Sequence, residues 1–355
     1  MLGSDLEAVW EAVTPLHLDW IQVEVSAVCH AQCAYCVLTC YKDQWGGDLM
    51  DMRTFGRLQP AFSLADMIYL QGWGEPLLHP RFWDMARAVK SSGAKIGFTT
   101  NGVPLVDKNI SKLFDEQVDI MGVTLAGATA ATHERFRQGC DFARIDKALT
   151  KINKMKRRHP DEGPSVNLAF MLLRSNWQEV DQLPALAAQW GVNQIVVNNL
   201  SFIGTEPMRN ESLLLQPQLW PEISAALERA KQEAADRGIP LHYYKPCMEK
   251  RCAICTENVL RACFVSYRGD VSPCVMTNIS IQPGSAAEHW FENETYPVEN
   301  YSFGNINEHS LQQIWKGTKA RQFREAFEER LAMEHPGTQQ LPTTPCRHCY
   351  KLMEN

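Results

Sequence analysis

Six short runs rich in apolar and β-branched residues recur along the first two thirds of the chain. They are "WIQVEVS" (20–26), "MIYLQG" (67–72), "KIGFTT" (95–100), "DIMGVTLAG" (119–127), "SVNLAFML" (165–172) and "NQIVVNNL" (193–200). Between them lie stretches such as "RFWDMARAVKSSG", in which apolar residues recur every three or four positions. The runs predict buried strands, and the stretches between them predict amphipathic helices.

Strands that alternate with helices favour a parallel sheet with right-handed crossovers, either an open doubly wound sheet or a partial barrel. We predict an α/β fold in which a partial (β/α)6 TIM-like barrel spans residues 20–240, after an N-terminal helical extension over residues 1–19. The carboxyl ends of such strands carry the functional site. The polar segments "AVCHAQC", "WGEP" and "NG" follow the first three runs and are expected to meet there.

The composition changes after residue 240. Residues 245–278 are rich in cysteine and contain the hairpin-like "FVSYRGDVSPCV", residues 280–302 are polar and predict a loop, and a helix is predicted at "SLQQIWKGTKARQFREAFEERLA". We therefore predict a small cysteine-rich hairpin-plus-helix domain over residues 241–355.

Charge and hydropathy narrow the functional classes. The formal net charge is -6 and no basic block occurs, so a nucleic-acid partner is not expected. The chain has no run of 18 apolar residues and no signal-peptide pattern, so we expect a cytoplasmic protein without a membrane partner. Thiols stay reduced in the cytosol, and the twelve cysteines therefore indicate metal binding.

Three of these cysteines, Cys29, Cys33 and Cys36, follow the spacing C-x3-C-x2-C. A structural zinc site requires four ligands, and a redox dithiol requires C-x-x-C alone. Three thiolates on one loop fit three irons of a [4Fe–4S] cluster and leave the fourth iron open to a ligand from outside the protein.

This motif resembles that of the radical S-adenosylmethionine (SAM) superfamily, including the aromatic Tyr35 before the third cysteine. The resemblance implies that SAM binds the open iron and that one electron cleaves it to a 5′-deoxyadenosyl radical. It also implies a low-potential electron donor, a flavodoxin or ferredoxin. "GWGEP" resembles the family's glycine-rich turn, with Trp73 where a glycine is commoner. The SAM contacts implied are Gly74, Glu75, Pro76, Asn101 and Thr124.

A second set of thiols lies in the last third. Gly269 suits a hairpin turn that brings Cys255 and Cys274 together. Cys346 and Cys349 form a C-x2-C pair. Four such thiolates can hold either zinc or a second iron–sulfur cluster. The pattern resembles SPASM and twitch domains. Because the sequence ends six residues after Cys349, we expect the shorter twitch-like form with one auxiliary [4Fe–4S] cluster. The additional candidate ligands are Cys247, Cys252 and Cys263.

The resemblance leaves the substrate open. One hypothesis is a peptide or protein side chain, as in maturases, and another is a small sugar or aminocyclitol that is oxidised or epimerised. Epimerisation requires a hydrogen-atom donor, for which Cys40, Cys140 and Cys263 are candidates. The alternative is a non-catalytic iron–sulfur electron carrier or a zinc-stabilised binding protein, which would not bind SAM.

Overall fold

The computed structural model describes residues 16–159, 162–246, 252–253, 255–333 and 341–354. Most of the predicted N-terminal extension and Cys247 lie outside these ranges. Residues 18 and 19, which were assigned to that extension, instead begin the first strand.

The strands are β1 (Leu18–Val23), β2 (Gln32–Cys33), β3 (Ala65–Tyr69), β4 (Lys95–Thr100), β5 (Ile120–Leu125), β6 (Arg137–Gln138), β7 (Ser165–Leu172), β8 (Gln194–Asn199), β9 (Leu241–Tyr243), β10 (Ala262–Val265), β11 (Asp270–Ser272), β12 (Glu288–Phe291), β13 (Glu294–Pro297) and β14 (Gly304–Asn305). Each of the six predicted runs forms a strand, namely β1, β3, β4, β5, β7 and β8.

The α-helices are α1 (Val37–Cys40), α2 (Met52–Leu58), α3 (Phe82–Ser91), α4 (Asp107–Asp115), α5 (Ala130–Phe136), α6 (Phe142–Arg158), α7 (Leu183–Trp190), α8 (Glu206–Glu211), α9 (Trp220–Asp236), α10 (Leu311–Lys316), α11 (Thr318–Leu331) and α12 (Thr344–Arg347). Within the described ranges, no helix is long and apolar enough to cross a membrane.

One large sheet organises the molecule, in the order β14–β11–β10–β1–β3–β4–β5–β7–β8–β9. Every neighbouring pair from β10 to β9 is parallel, whereas β11 and β14 are antiparallel to their neighbours. The mainly parallel α/β fold is therefore confirmed. Since neighbouring strands run the same way, the segments after β1, β3 and β4 lie at one edge of the sheet.

The C-terminal region is built onto this sheet. The strand β10 pairs in parallel with β1, so that Ala262 lies opposite Trp20 and Val265 opposite Val23. The predicted hairpin forms between β10 and β11, with Gly269 at a φ of 91°. The sheet thus continues past residue 240, because β9 and β10 extend it on opposite sides.

The segment expected to be a polar loop (280–302) instead contains the antiparallel hairpin β12–β13. Its backbone is held by the loop after β8, because Trp290 N donates to the carbonyl of Ile203 at 2.7 Å. The Tyr41 hydroxyl, just after α1, donates to the carbonyl of Glu288. The hairpin therefore lies against the segments that follow the carboxyl ends of the parallel strands.

Candidate functional site

The glycine-rich turn (72–76) lies directly against the segment that leads into the three-cysteine loop. Gly74 N donates to the carbonyl of Ser26 at 3.2 Å, and Glu75 N donates to the carbonyl of Val28 at 2.9 Å. A Cβ atom on Gly74 would lie 2.5 Å from both of these carbonyl oxygens. Only glycine allows so close an approach of two backbones.

A second buried side chain, the carboxylate of Glu24, hydrogen-bonds to the same turn. Its Oε1 accepts a hydrogen bond of 2.9 Å from Trp73 N, and its Oε2 accepts one of 3.4 Å from Tyr267 N in the β10–β11 turn. Burial raises the pKa of Glu24 to about 7, because the charged form loses its hydration. Gly72 packs on this side chain, where a Cβ atom would lie 2.2 Å from Glu24 Cγ.

Glu75 ties the turn to the end of β4. Its carboxylate accepts hydrogen bonds from Thr100 Oγ1 at 2.8 Å and from Asn101 N at 2.7 Å, and burial raises its pKa to about 7. The Asn101 amide lies beside the first thiol, with Nδ2 at 3.7 Å from Cys29 Sγ. Thr124, at the end of β5, donates to the carbonyl of Thr100 at 3.3 Å. The structure thus brings these candidate residues to one edge.

The thiols of Cys29, Cys33 and Cys36 face one another closely enough to affect each other's ionisation. Burial and, to a lesser extent, the charge of Cys33 together raise the pKa of Cys36 to about 12, and burial also raises the pKa of Cys29. Three thiolates on one partly buried loop are unfavourable alone and become favourable when they bind a metal. This donor set fits a cluster that carries positive iron.

Arg137, which the sequence analysis did not single out, lies beside the three-cysteine loop. The strands β2 and β6 pair Cys33 with Arg137, and the guanidinium is buried. Its Nη1 donates to Tyr35 Oη at 2.7 Å, while its buried Nε has no hydrogen-bond partner among the described residues. Burial raises the pKa of Cys29 and of Glu75, and the charge of Arg137 opposes this effect without outweighing it. No signal in the sequence marks this position, since arginine is usually exposed.

The three candidate hydrogen-atom donors lie in different places. Cys140 is buried against Cys33, and this neighbouring thiol lowers the pKa of Cys33. Cys40 ends α1 beside Gly204, where a Cβ atom would lie 2.6 Å from Cys40 Sγ. Cys263 is buried within β10, opposite Ile21.

The second set of thiols lines one pocket in the C-terminal region, which we call the thiol pocket. Cys255, Cys274, Cys346 and Cys349 all face it. Burial raises the pKa of Cys255 and Cys274 far above the usual range, and neighbouring thiolates add to the effect. Lys351, which also faces the pocket, forms an ion pair with Glu257 at 3.4 Å. The structure therefore gathers the four predicted ligands.

Cys252 and Cys247, two further candidate ligands, are not among the described residues that line the thiol pocket. Cys252 Sγ lies 3.2 Å from the carbonyl of Glu354, and Cys247 lies outside the described residues. Within the described part of the chain, no three Cys, His, Asp or Glu side chains are grouped tightly enough to hold a single metal ion.

The sheet is mainly parallel, three thiols and a glycine-rich turn lie at one of its edges, and four more thiols lie in the C-terminal region. This arrangement is that of an iron–sulfur protein of the radical SAM class. Comparison with protein families identifies the same class. Residues 23–187 match the radical SAM superfamily, and residues 255–350 match SPASM, an iron–sulfur cluster-binding domain. The chain belongs to the radical SAM superfamily and carries a C-terminal SPASM domain; its cofactors are a [4Fe–4S] cluster, SAM and auxiliary iron–sulfur clusters.

Relatives of similar length carry different names. The chain is 27% identical over 314 residues to a tungsten-containing aldehyde ferredoxin oxidoreductase cofactor-modifying protein of Pyrococcus furiosus, which covers 86% of this chain and 83% of the relative. It is 25% identical over 272 residues to an AdoMet-dependent heme synthase of Methanosarcina barkeri, with coverage of 71% and 75%. It is 25% identical over 324 residues to the PqqA peptide cyclase of Xanthomonas axonopodis pv. citri, with coverage of 84% and 74%.

Solved structures confirm the fold. Streptococcus suis SuiB bound to S-adenosylmethionine matches with a TM-score of 0.65 at 12% identity, over 97% of this chain and 75% of SuiB. The protein anSMEcpe with bound AdoMet matches with a TM-score of 0.63 at 15% identity, over 93% of this chain and 88% of that chain.

Proposed function

We propose that this radical SAM enzyme oxidises a side chain of a peptide or protein, and that the electron lost by the substrate passes to the auxiliary cluster. The complete set of four thiols around the thiol pocket carries this proposal. A cluster with four protein ligands has no open iron for a substrate, so its natural task is electron transfer.

The residues at the sheet edge have separable tasks. A cluster and SAM bound at this edge would supply a 5′-deoxyadenosyl radical. Cys29, Cys33 and Cys36 would hold the cluster, and the buried Arg137 cation offsets their negative charge. The glycine-rich turn and Asn101 would face SAM, and Glu75 fixes both by its hydrogen bonds. A flavodoxin or ferredoxin is the proposed electron donor.

The peptide hypothesis is supported by the similarity to the PqqA peptide cyclase, whose name states a peptide substrate and which aligns with 84% of the chain. A second candidate is a small molecule. The names of the cofactor-modifying protein and the heme synthase favour a small-molecule substrate, because both names describe chemistry on small molecules. A shared fold alone does not decide between them.

Reconstituted, dithionite-reduced protein tests the proposal. We expect about eight irons per chain if there is one auxiliary [4Fe–4S] cluster, and 5′-deoxyadenosine formation when SAM is added. Replacing Cys29, Cys33 and Cys36 by alanine should abolish SAM cleavage. Replacing Cys346 and Cys349 should remove about four irons and abolish substrate oxidation, while SAM cleavage remains.

Two outcomes would refute the proposal. Protein that holds the first cluster but forms no 5′-deoxyadenosine would be an electron carrier or binding protein. A double variant of Cys346 and Cys349 that still oxidises its substrate would exclude the auxiliary cluster as the electron acceptor. The substrate class itself is tested by mass spectrometry, in which a dehydrogenated peptide is lighter by about 2 Da.

A further inference from the structure

A lysine and a glutamate line the thiol pocket together with the four proposed ligands. Among the described residues that line it, Lys351 is the one lysine or arginine and Glu257 is the one carboxylate. The two side chains form an ion pair, with Lys351 Nζ at 3.4 Å from Glu257 Oε1. The side chain of Lys351 is 16% exposed and that of Glu257 is 23% exposed, so salt and water screen these charges less than they would at the surface.

A second carboxylate fixes the ammonium of Lys351 from another side. Glu354 is buried, and its Oε2 lies 3.4 Å from Lys351 Nζ. Its Oε1 accepts hydrogen bonds from Ser201 Oγ at 3.0 Å and from Asn199 Nδ2 at 3.2 Å, at the end of β8. The ring centroid of Tyr244 lies 5.8 Å from the same ammonium. The positive charge is therefore held at a defined position beside the pocket.

Both charges that line the pocket act on a proposed ligand of the auxiliary cluster. Burial is the main cause that raises the pKa of Cys349 to about 12; the charge of Glu257 acts in the same direction, and the charge of Lys351 opposes it. Another cation, Arg330, is buried in α11 and donates to the carbonyl of Cys252 at 3.0 Å. Arg330 is not among the described residues that line the pocket, so Lys351 is the cation that faces it.

A charge at this position affects the redox chemistry of a cluster in the pocket. A [4Fe–4S] cluster with four thiolate ligands is an anion, and each electron that it accepts makes it more negative. A fixed positive charge nearby stabilises the reduced form more than the oxidised form and so raises the reduction potential. A fixed negative charge has the opposite effect. Lys351 and Glu257 therefore act in opposite directions on the same cluster.

We propose that Lys351 raises the reduction potential of the auxiliary cluster, so that this cluster accepts the electron of the substrate radical, and that Glu257 limits the rise. In this step the radical loses one electron and one proton; the oxidised cluster takes up the electron, and the proton passes to water. This inference rests on the proposed function, since it gives the auxiliary cluster the task of electron acceptor. Lys351 is a positioning residue, because it acts through the cluster and does not touch the substrate.

The auxiliary cluster can be titrated alone in the full-length chain. Replacing Cys29, Cys33 and Cys36 by alanine removes the first cluster, and an anaerobic EPR-monitored redox titration of the reconstituted protein then reports the auxiliary cluster. In this background, Lys351→Gln should lower the equilibrium constant for reduction about tenfold, which corresponds to about 59 mV in a one-electron couple. Lys351→Arg keeps the charge and should restore a potential close to that of the parent protein.

Two further variants separate the effect of charge from that of folding. Glu257→Gln removes the negative charge at a more exposed position and should raise the equilibrium constant about threefold, which corresponds to about 30 mV. Lys90→Gln breaks a partly buried ion pair with Asp119, 2.9 Å long and outside the pocket, and should leave the potential unchanged. If Lys351→Gln holds no cluster, the sign of the shift in Glu257→Gln decides the question.

Three results would overturn the inference. They are equal potentials in the parent and Lys351→Gln, shifts of the same sign in Lys351→Gln and Glu257→Gln, and an unchanged or lower potential in Glu257→Gln. The proposed function is tested separately. Loss of substrate oxidation in the double variant of Cys346 and Cys349 would still support it, even if Lys351 has no effect on the potential.

Discussion

The indole Nε1 of Trp73 donates a hydrogen bond of 2.9 Å to the backbone carbonyl of Asn278. This contact joins the glycine-rich turn to the SPASM domain. The tryptophan stands where the family more commonly has a glycine, and a glycine has no side chain with which to reach Asn278. The departure from the family pattern therefore has a structural counterpart, a direct link from the proposed SAM-binding turn to the auxiliary domain.

Replacing Trp73 by phenylalanine should loosen this link. The substitution keeps an aromatic ring but removes the donor, leaves the Asn278 carbonyl without this bond, and should cost about 1–2 kcal/mol of stability. Because the turn lies against the three-cysteine loop, we also expect weaker SAM binding, by about three- to tenfold. Thermal unfolding and equilibrium dialysis with SAM measure the two effects.

Trp220→Phe provides the matched control. Trp220 Nε1 donates to the carbonyl of Leu213 at 2.8 Å, which is the same kind of hydrogen bond in a part of the chain outside the site. We expect a similar loss of stability without a change in SAM affinity. If both variants weaken SAM binding equally, the Trp73 effect is one of general stability.

The buried Glu24 should make the stability of the protein depend on pH. A raised pKa means that the folded state holds its proton while the unfolded chain has lost it, so stability falls as pH rises from about 4.5 to about 7. The contribution is about 2 kcal/mol between pH 5.5 and 7.5. Glu24→Gln should remove it, although Glu75 will retain a similar slope of its own.

Thermal unfolding under anaerobic conditions at pH 5.5, 6.5 and 7.5 measures this slope. Glu116→Gln is a suitable control, because Arg87 lowers the pKa of Glu116, which places its titration below this range. An unchanged slope in Glu24→Gln would show that Glu24 titrates normally.

The sequence predicted the parts of the site that depend on local patterns. Runs of apolar and β-branched residues predicted the six buried strands. The spacing of Cys29, Cys33 and Cys36 predicted the three-cysteine loop. Gly269 correctly indicated the hairpin between β10 and β11, because its positive φ is a local requirement.

Other features depend on contacts between distant residues and left no local signal. The parallel pairing of β10 with β1 joins residues more than two hundred positions apart. Charged residues such as Glu24 and Arg137 are buried because specific partners surround them, and composition alone places such residues at the surface. The hairpin β12–β13 was missed because its strands have only four residues each, both begin with glutamate, and its turn uses Glu292 at a φ of 57° instead of glycine.

Arg137→Lys should weaken SAM binding while leaving the first cluster in place. Lysine keeps the positive charge but loses the planar fork that donates to Tyr35 and offers Nε to an anion such as the SAM carboxylate. We expect SAM affinity to fall about tenfold or more, with iron content unchanged. Tyr35→Phe removes only the hydroxyl and should have a smaller effect. Wild-type affinity in Arg137→Lys would mean that this guanidinium serves the thiolates alone.

Cys140 should tune the reduction potential of the first cluster. Its thiol lies against Cys33 and lowers the pKa of Cys33, so it favours negative charge on that sulfur. Favouring negative charge on a ligand sulfur stabilises the more negative, reduced state of a cluster. Cys140→Ala should therefore lower the potential, by about 40 mV for an interaction of about 1 kcal/mol in a one-electron couple. An EPR-monitored redox titration measures the shift. Cys263→Ala, which removes a buried thiol from β10, is the matched control and should leave the potential unchanged. A hydrogen-atom donor would behave differently: Cys140→Ala would then keep the potential but would stop the return of hydrogen to the substrate.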